Sequence, residues 1–523
     1  MSFARALFTV SGFTMISRVA GFVRDTLTAM FLGASFQADA FFVAQRLPNL
    51  FRSLFAEGAF SAAFVPLYAT EHERSGEQAA QKFAGEALAL LIAILTPFSI
   101  LMMLAMPWVI RVMAPGFQDE PDKFALAVHY SRITFPYLLL ISITALQSGV
   151  LNARGRFAPG AAAPIMLNIV LIVALYLTTF FDWNVGETLA WATMISGGVQ
   201  ALWLAVSCYH ARAVIPLVRP HLTQACRLLF RQIGPGAVGS GAAQINLLLT
   251  TILASLLPTG AVSYLYYADR LNQLPLGIIG IAVATTLLPL LSRHEANGDS
   301  KNVLHYTSRA IEFCLILGLP AMIGLALVAQ PIIQTLFEHG AFTHDDTIKT
   351  AQTLAAYALG VPAFLLAKVF ASRFFARQDT RTPVKYAIAS MVCNVALALV
   401  FLGPLAHIGL ALATSLATWI NAGLLYLNLR KHKEPLADEV LKKRLPRIAL
   451  CAAGMALVTL LSVNLTSVLF NKSHILQGIA GLALIIGLSC AAYAVLLQMT
   501  GAVRLGELLK HCGISKGDTN ETL

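Results

Sequence analysis

Apolar segments long enough to cross a membrane alternate with short polar segments along almost the whole chain. Long examples are residues 87–110, 165–181 and 478–497. A membrane-spanning helix needs about 20 mostly apolar residues, whereas a helix on the surface of a soluble domain is apolar on one face only. The pattern predicts an all-α polytopic membrane protein with about 14 transmembrane helices. Their predicted limits are 5–31, 37–65, 83–112, 124–150, 160–181, 187–208, 229–257, 263–292, 306–336, 347–376, 384–402, 408–429, 448–469 and 477–500.

Composition leads to the same class. Of the 523 residues, 57% are hydrophobic and 12% are charged. A soluble domain has about 45–50% apolar and about 25% charged residues. The seven cysteines are scattered without a CxxC pair, so we interpret them as small apolar side chains rather than disulfides or metal ligands. Arg18 and Arg24 interrupt the first apolar segment, which argues against a cleaved signal peptide.

The formal net charge of +11 follows from topology. Lysine and arginine concentrate in every second loop, most strongly in 430–447, and the opposite set of loops holds little beyond Lys123, Lys349 and Lys472. Because basic residues accumulate on the cytoplasmic side, we predict that both chain termini are cytoplasmic. This distribution also removes the reason to expect a nucleic-acid partner.

An internal repeat divides the predicted helices into two sets. Residues 44–55 (AQRLPNLFRSLF) resemble 268–279 (ADRLNQLPLGII), and 152–159 (NARGRFAP) resemble 375–383 (FARQDTRTP), at an offset of 223–224 residues. Six spans per copy give both copies the same polarity, so we predict two parallel six-helix lobes with a substrate path between them. The predicted divisions are an N-terminal lobe (1–208), a basic linker (209–228), a C-terminal lobe (229–429), a second basic linker (430–447), two added helices (448–500) and a cytoplasmic tail (501–523).

The first predicted span contains charged residues in the stretch SRVAGFVRD. On a helical wheel, Ser17, Arg18, Gly21, Arg24 and Asp25 fall on one face. A charged side chain at the bilayer centre costs about 2.5–3.5 kcal/mol or more, so this face should point into the bundle or towards water. With two arginines and one acidic residue, this face carries a net positive charge.

Further polar side chains in the spans extend this positive region. The second span adds Asp39, Asn49, Arg52, Glu57 and Ser61, and the second lobe adds Asp269, Arg270, Lys368 and Arg373. We interpret them as an arginine-rich cavity rimmed by carboxylates. Since the guanidinium fork matches phosphate oxygens in pairs, the cavity favours an anionic substrate. A purely structural ion-pair network and a proton or cation relay are the alternatives.

Several catalytic signatures are absent from the sequence. There is no GxxxxGK[ST] motif for ATP hydrolysis, and no HExxH or GxSxG. The outer loop EHGAFTHDD gathers His339, His344, Asp345 and Asp346; we expect a solvated loop there, with a metal site as the alternative. No acidic residue lies between Gln232 and Ala268, so the seventh span offers no carboxylate to a coupling cation.

Extended stretches of the chain closely resemble the MurJ (MviN) family of lipid II flippases, in the multidrug/oligosaccharidyl-lipid/polysaccharide (MOP) exporter superfamily. The resemblance covers essentially the whole length. It is most specific in SRVAGFVRD, DAFFVAQRLPNLFRSLFAEGAFSAAFVP, APGF (114–117), KFALA (123–127), ITFPYLLLIS (133–142), YYADRLNQLPLGIIG and RQDTRTPVK (377–385).

The resemblance implies two six-helix lobes in a V around a central cavity, with two C-terminal helices forming a groove for a polyprenyl tail. It implies transport of undecaprenyl-diphosphate-linked disaccharide-pentapeptide from the inner to the outer leaflet for peptidoglycan synthesis. The cavity positions associated with function in this family match Arg18, Arg24, Asp39, Arg52 and Arg270, and the surrounding pattern matches Ser17, Gly21, Glu57, Phe60 and Ser61. Some relatives are expected to use sodium through an acid on the seventh span, which this chain lacks; the membrane potential is the alternative energy source.

The sequence therefore predicts a non-enzymatic flippase of the bacterial cytoplasmic (inner) membrane that works by alternating access. Arg18, Arg24, Arg52 and Arg270 would bind the diphosphate, while Asp39 and Glu57 would hold those arginines or contact the head group. We expect no cofactor and no metal, a monomer in contact with membrane lipids, and the cell-wall synthesis machinery as a candidate partner. The second hypothesis is a MOP-superfamily exporter of another lipid-linked oligosaccharide or of a drug, by cation antiport. A membrane-embedded transferase is the third.

Overall fold

The computed structural model describes the backbone of residues 3–53, 60–432, 435–470 and 475–502, and the side chains of 9–53, 60–233, 244–432, 435–466 and 475–502. Within these ranges the regular structure is helical, with no β-strand. The helices are α1 Phe3–Leu32, α2 Phe36–Phe51, α3 Phe60–Met113, α4 Pro121–Thr134, α5 Tyr137–Ala153, α6 Ala158–Phe181, α7 Val185–His210, α8 Gln224–Ser255, α9 Ala261–Ala296, α10 Ser300–Leu327, α11 Ala329–Phe337, α12 His344–Ala358, α13 Val361–Ala376, α14 Arg381–Lys431, α15 Glu439–Phe470 and α16 Ile475–Met499. A short 3-10 helix, Pro115–Asp119, precedes α4.

Ten helical segments among the described residues are long and apolar enough to cross a membrane. Two of these segments are single long helices with one non-helical residue inside, which is Gly76 in α3 and Ala406 in α14. The 51 residues of α14 would extend about 76 Å, more than twice the apolar thickness of a bilayer. Ala406 lies in the loop predicted between the spans 384–402 and 408–429. The class of polytopic α-helical membrane protein is confirmed, and the number 14 stays a prediction.

The predicted fourth and tenth spans are each broken into two helices. Turns at Phe135–Pro136 and at Leu359–Gly360 divide the 33-residue segments Pro121–Ala153 and His344–Ala376. In both cases the break lies at or just before a proline, which has no amide hydrogen to donate to the preceding turn of the helix. The apolar pattern of the sequence predicted one continuous helix in each of these two places.

The two broken segments also show the internal repeat in the backbone. His344 follows Pro121 by 223 residues, the offset found in the sequence. Left-handed residues recur at nearly the same spacing: Gly155 (φ 70°) with Gln378 (φ 61°), and Asp182 (φ 51°) with Ala406 (φ 47°). Residues with positive φ are uncommon outside glycine, so recurrence at this offset supports two copies of one structural unit.

The chain divides into two compact units, Met1–Ser263 with His339–Asp346, and Tyr264–Glu338 with Thr347–Leu523. The first unit has an apolar core where α3, α5, α7 and α8 meet, with Phe64, Leu146 and Leu204 fully buried. This core positions α3, α5, α7 and α8, while α1 packs on α6.

The second unit has two apolar clusters. In the larger one, α9, α10, α13 and α14 meet around residues such as Leu291, Cys314 and Val369. In the smaller one, α10 packs against α15 and α16, and the hydroxyl of Tyr493 donates to the carbonyl of Ile316 at 3.0 Å. The first turns of α15 also lie inside the predicted linker 430–447, so more of that linker is helical than its charge pattern indicated.

Large apolar side chains are exposed along the long helices, as a lipid-facing surface requires. Leu104 and Trp108 on α3 and Leu457, Leu461 and Leu465 on α15 are examples. Soluble monomers rarely expose contiguous apolar surface of this kind. The exposed faces therefore agree with helices that contact lipid.

The motif RQDTRTPVK covers the loop before α14 and the first turn of that helix. The carboxylate of Asp379 accepts hydrogen bonds from the backbone amides of Arg381 and Thr382, each at 3.0 Å. Hydrogen bonds from the side chain and backbone of Thr382 lower the pKa of Asp379 from its usual value of 3.8. The charged form of Asp379 thus caps the start of α14.

Candidate functional site

The polar face predicted for α1 separates from its apolar face in the structure. Asp25 and Thr28 are buried, and the Arg24 side chain is 14% exposed. On the other side, Ile16 and Val19 are exposed. The partition matches the wheel in the C-terminal half of α1, where Asp25 and Thr28 pack against the rest of the first unit, whereas Arg18, on the same predicted face, is exposed.

Arg24 is held by two side chains. Its Nη2 and Nε lie 2.6 Å and 3.1 Å from one carboxylate oxygen of Asp25, and its Nη1 donates to the amide oxygen of Asn168 at 3.1 Å. Adjacent residues on a helix seldom face each other, but the long arginine side chain folds back to reach Asp25. Asp25 therefore forms an ion pair with Arg24.

Asn168, on α6, is a site residue that the sequence reasoning missed. It is buried, and its amide nitrogen donates to the carbonyls of Ser17 (3.1 Å) and Pro164 (3.2 Å). It thereby links α1 to α6 and fixes the amide oxygen that Arg24 contacts. A lone amide within the apolar run IMLNIVLIVAL was the available signal, because buried polar groups in a membrane need a partner.

The remaining predicted residues of α1 lie nearby along the same helix. Arg18 is exposed and Ser17 is half-buried. A Cβ on Gly21 would lie 3.6 Å from the Asn168 amide, so a larger side chain there would press on the group that orients Arg24. Arg18 and Arg24 are separated by about 9 Å along the axis.

The C-terminal end of α2 positions Arg52. Its Nε donates to the side-chain oxygen of Asn49 at 3.3 Å, one turn earlier. Ser53 accepts a hydrogen bond from Gln244 of α8 at 2.9 Å. Ser61 is half-buried at the start of α3, and Glu57 lies outside the described residues.

Asp39 lies at the opposite end of α2, where it is 1% exposed. Its Oδ2 is 3.1 Å from the ammonium of Lys123, which is itself 2% exposed and lies over the ring of Phe117. The sequence reasoning expected Asp39 to hold an arginine or contact a head group, and it treated Lys123 as a loop residue. The structure instead pairs the two in a buried contact between α2 and α4.

The carboxylate of Asp39 also receives hydrogen bonds from the first turn of α9. The amides of Gly260 and Ser263 donate at 2.8 Å and 3.0 Å, and the Ser263 hydroxyl donates at 2.7 Å. Lys123 in turn donates to Thr259 at 3.1 Å. A carboxylate on the free amides of a helix start is favourable both as a cap and against the helix dipole.

In the second unit, Arg270 stacks over the ring of Tyr266 and donates to its hydroxyl at 3.0 Å. Asp269 accepts a hydrogen bond from Gln273, one turn further along α9. Arg270 and Asp269 are both half-buried. Tyr266 therefore gives the Arg270 fork a defined orientation.

The two basic residues predicted on α13 differ in environment. Lys368 is exposed, with its ammonium 5.4 Å from the centre of the Phe364 ring. Arg373 is 3% exposed, lies 3.7 Å from Glu295 and donates to Thr307 at 3.4 Å. These contacts join α13 to α9 and α10, which is the geometry of an ion pair between packed helices.

The stretch EHGAFTHDD, predicted as an outer loop, is a loop only as far as Thr343, and its last three residues begin α12. Asp346 accepts hydrogen bonds from the amide and hydroxyl of Thr343 at 2.9 Å and 2.8 Å, and the amide of Ala341 donates to the carbonyl of Met30 at 2.8 Å. Within the part of the chain that the structure describes, no group of three or more metal-binding side chains is found.

The architecture is shared with a solved transporter structure. The fold matches an inward-facing multidrug resistance transporter of the MATE family, in the MOP superfamily, with a TM-score of 0.70 at 15% identity over 82% of this chain and 98% of that one. The chain therefore has this polytopic helical fold.

Closer relatives define the family. The family model described as lipid II flippase MurJ matches residues 28–480. A probable lipid II flippase MurJ of Rhizobium meliloti (strain 1021) is 42% identical over 468 residues, which cover 89% of this chain and 87% of that protein. A solved lipid II flippase MurJ in an inward closed conformation has a TM-score of 0.77 and 27% identity over 94% of this chain and 98% of its own. The chain belongs to the MurJ family, and the predicted resemblance is confirmed.

Proposed function

We propose that the protein is a lipid II flippase of the bacterial inner membrane. It moves undecaprenyl-diphosphate-linked disaccharide-pentapeptide from the inner to the outer leaflet by alternating access, for peptidoglycan synthesis. The observation that carries the proposal is the oriented guanidinium of Arg24, held by Asp25 and Asn168 within a membrane helix of a MurJ-family chain.

Three of the predicted arginines have side-chain partners that fix their direction. Asn168 orients Arg24, Asn49 orients Arg52, and Tyr266 orients Arg270. A preorganised guanidinium fork binds phosphate oxygens at a smaller entropic cost than a mobile one. A diphosphate offers several such oxygens, so we propose that these arginines, with Arg18, bind the diphosphate of lipid II.

The finer parts of the proposal concern how the transporter works. We propose that no covalent bond of the substrate is made or broken, that α15 and α16 keep the lipid tail in the bilayer, and that both termini are cytoplasmic. Either the membrane potential or a monovalent cation supplies the energy, since moving one charge through 100 mV is worth about 2.3 kcal/mol. We expect a monomer that needs no cofactor and contacts membrane lipids and the cell-wall synthesis machinery.

Alanine and lysine substitutions test the phosphate contact. The variants Arg18→Ala, Arg24→Ala, Arg52→Ala and Arg270→Ala should insert normally but fail to support growth of a bacterium depleted of its own flippase. Lysine keeps the charge but loses the paired donors, so each lysine variant should restore growth only in part. Membrane levels of each variant are measured by immunoblot.

Arg373→Lys is the matched control. Arg373 is buried against Glu295, and the lysine that replaces it can still pair with that carboxylate. It should support growth. Full growth with all four alanine variants would contradict the phosphate contact, while full growth with the lysine variants would show that charge alone is sufficient.

A further inference from the structure

A lateral crevice lies between α6 and α7. None of the residues placed in the transport site lines it, although its lining residue Ile169 follows Asn168 in the chain. The volume of the crevice is about 760 Å³. One wall is formed by α6 side chains such as Ile169, Val173 and Leu177, and the other by α7 side chains such as Trp191 and Ile195. Most of these side chains are exposed, so the crevice opens at the surface of the first unit.

The walls suit a hydrocarbon chain. Ile169 to Leu177 covers about 12 Å along α6, and Glu187 to Ile195 covers the same length along α7. Over this length the lining side chains are apolar apart from Glu187 and Thr188 near the α6–α7 turn. A crevice of this length and polarity fits a segment of an acyl chain.

The polar residues of the crevice are confined to one end. Asp182, Asn184 and Glu187 lie at the turn between α6 and α7, beside Trp183. The lining contains two carboxylates and no lysine or arginine. Tryptophan is enriched where membrane helices meet the head-group region, so this end corresponds to the bilayer surface.

Local contacts fix the shape of this acidic end. Asp182 ends α6 in the left-handed conformation. Asn184 caps α7 by accepting a hydrogen bond from the amide of Glu187 at 3.0 Å and receives another from the hydroxyl of Tyr130 at 3.2 Å. Glu187 contacts the imidazole of His129 at 3.4 Å. The two carboxylates are therefore carried by a capped, ordered turn.

We propose that this crevice binds a glycerophospholipid with a primary ammonium head group, such as phosphatidylethanolamine. One acyl chain lies between α6 and α7, and the ammonium group pairs with Asp182 and Glu187. With the predicted topology, the lipid belongs to the outer leaflet. An anionic phospholipid would place its unneutralised phosphate beside two carboxylates, so charge favours the amine lipid. This site is independent of the proposed flippase function.

Quenching of tryptophan by brominated lipids tests the proposal on the full chain. The chain has five tryptophans, and a variant that keeps only Trp191, with the other four replaced by phenylalanine, reports on the crevice. It is reconstituted in phosphatidylcholine bilayers with increasing fractions of phosphatidylethanolamine, phosphatidylglycerol or phosphatidylcholine carrying the same brominated chains. We expect brominated phosphatidylethanolamine to quench Trp191 at about a twofold to fivefold lower mole fraction than brominated phosphatidylcholine, as expected for two partly exposed charge contacts.

Two further variants keep the test specific. Asp182→Asn with Glu187→Gln, in the same background, keeps the shape of the turn and should abolish the preference. A protein that retains only Trp419 is the matched control, since Trp419 and Trp191 are 43% and 45% exposed; it should show no preference among head groups. Equal quenching of Trp191 by all three lipids, or stronger quenching by phosphatidylglycerol, would overturn the proposal.

Discussion

At the scale of single residues, Asn168 and Asp25 together hold the Arg24 side chain. Asn168 accepts from Arg24 and donates to the carbonyls of Ser17 and Pro164, so its amide cannot turn without breaking contacts. A buried amide in this position acts on the substrate only through Arg24. It is a positioning residue of the proposed diphosphate site.

Replacing Asn168 with leucine removes these hydrogen bonds at nearly constant volume. Polar contacts between membrane helices are worth about 0.6–1.7 kcal/mol, so we expect the transport rate to fall about threefold to twentyfold while the protein still inserts. The rate is measured as transfer of a fluorescent lipid II in proteoliposomes. Met166→Leu on the same helix is the control, and an unchanged rate for Asn168→Leu would show that Arg24 needs no amide partner.

Two glycines make the close contact between α1 and the loop 338–343. The φ angle of Gly340 is 60°, and a Cβ there would lie 2.4 Å from the Met30 carbonyl oxygen. Gly33, with φ 61°, stands in the same relation to the carbonyl of Ala341. Glycine is required at these positions both for the backbone conformation and for the approach of the two chains.

Gly340→Ala should therefore lower the apparent Tm in detergent more than an alanine placed at an open left-handed glycine. Gly298 supplies that control, because its φ is 68° and nothing lies within 4 Å of a Cβ there. Gly298→Ala measures the conformational cost alone, about 1–2 kcal/mol. Equal shifts in Tm for the two variants would mean that the contact with Met30 contributes nothing.

At the scale of elements, the buried pair of Asp39 and Lys123 connects α2, α4 and the first turn of α9. The desolvation of a buried charge is costly, so removing one partner leaves the other uncompensated. The pair gives these elements a fixed register. The pair therefore contributes to the specificity of helix packing as well as to stability.

A double-mutant cycle measures this coupling. Asp39→Asn and Lys123→Met should each destabilise the protein by about 3–5 kcal/mol, while the double variant should be less destabilised than the sum of the two. Thermal unfolding in detergent gives the three values. Glu439→Gln, which breaks an exposed pair with Lys442, is the control and should have little effect; strictly additive effects at Asp39 and Lys123 would contradict the coupling.

The limits of a helix were predictable where a long apolar run was the dominant signal in the sequence. The limits of α6, α7 and α16 lie within two residues of the predicted spans, because a long apolar run has clear polar ends. The breaks at Phe135–Pro136 and Leu359–Gly360 were not predicted, since hydropathy stays high across them. Hydropathy reports burial or lipid contact and does not report the loss of a single helical hydrogen bond.

The sequence predicted which types of residue would lie in the candidate site, but it did not predict which side chains pair with one another. The helical wheel placed Arg24 and Asp25 on the polar face of α1, but the partner Asn168 is 144 residues away in the sequence. Lys123 looked like a loop residue because the sequence does not show that Phe117 and Asp39 enclose it. Long-range partners depend on how helices pack, and one sequence does not contain that information directly.

At the scale of the whole molecule, the internal repeat and the family agree on the class of protein. The repeat offset in the sequence recurs in the broken helices and in the left-handed residues of the two copies. Repeated halves of this kind are the usual architecture of transporters that work by alternating access. The family adds the substrate, and the oriented arginines are the proposed binding site for its diphosphate.

The side of the membrane on which lipid II is exposed tests the central claim most directly. Cells depleted of this protein are supplied with the wild-type chain, with Arg24→Ala or with no chain, and lipid II accessible from the periplasm is measured by cleavage with an externally added enzyme. We predict normal cleavage with the wild-type chain, and little cleavage with the variant or without the chain while lipid II accumulates inside. Normal cleavage in the depleted cells would contradict the account.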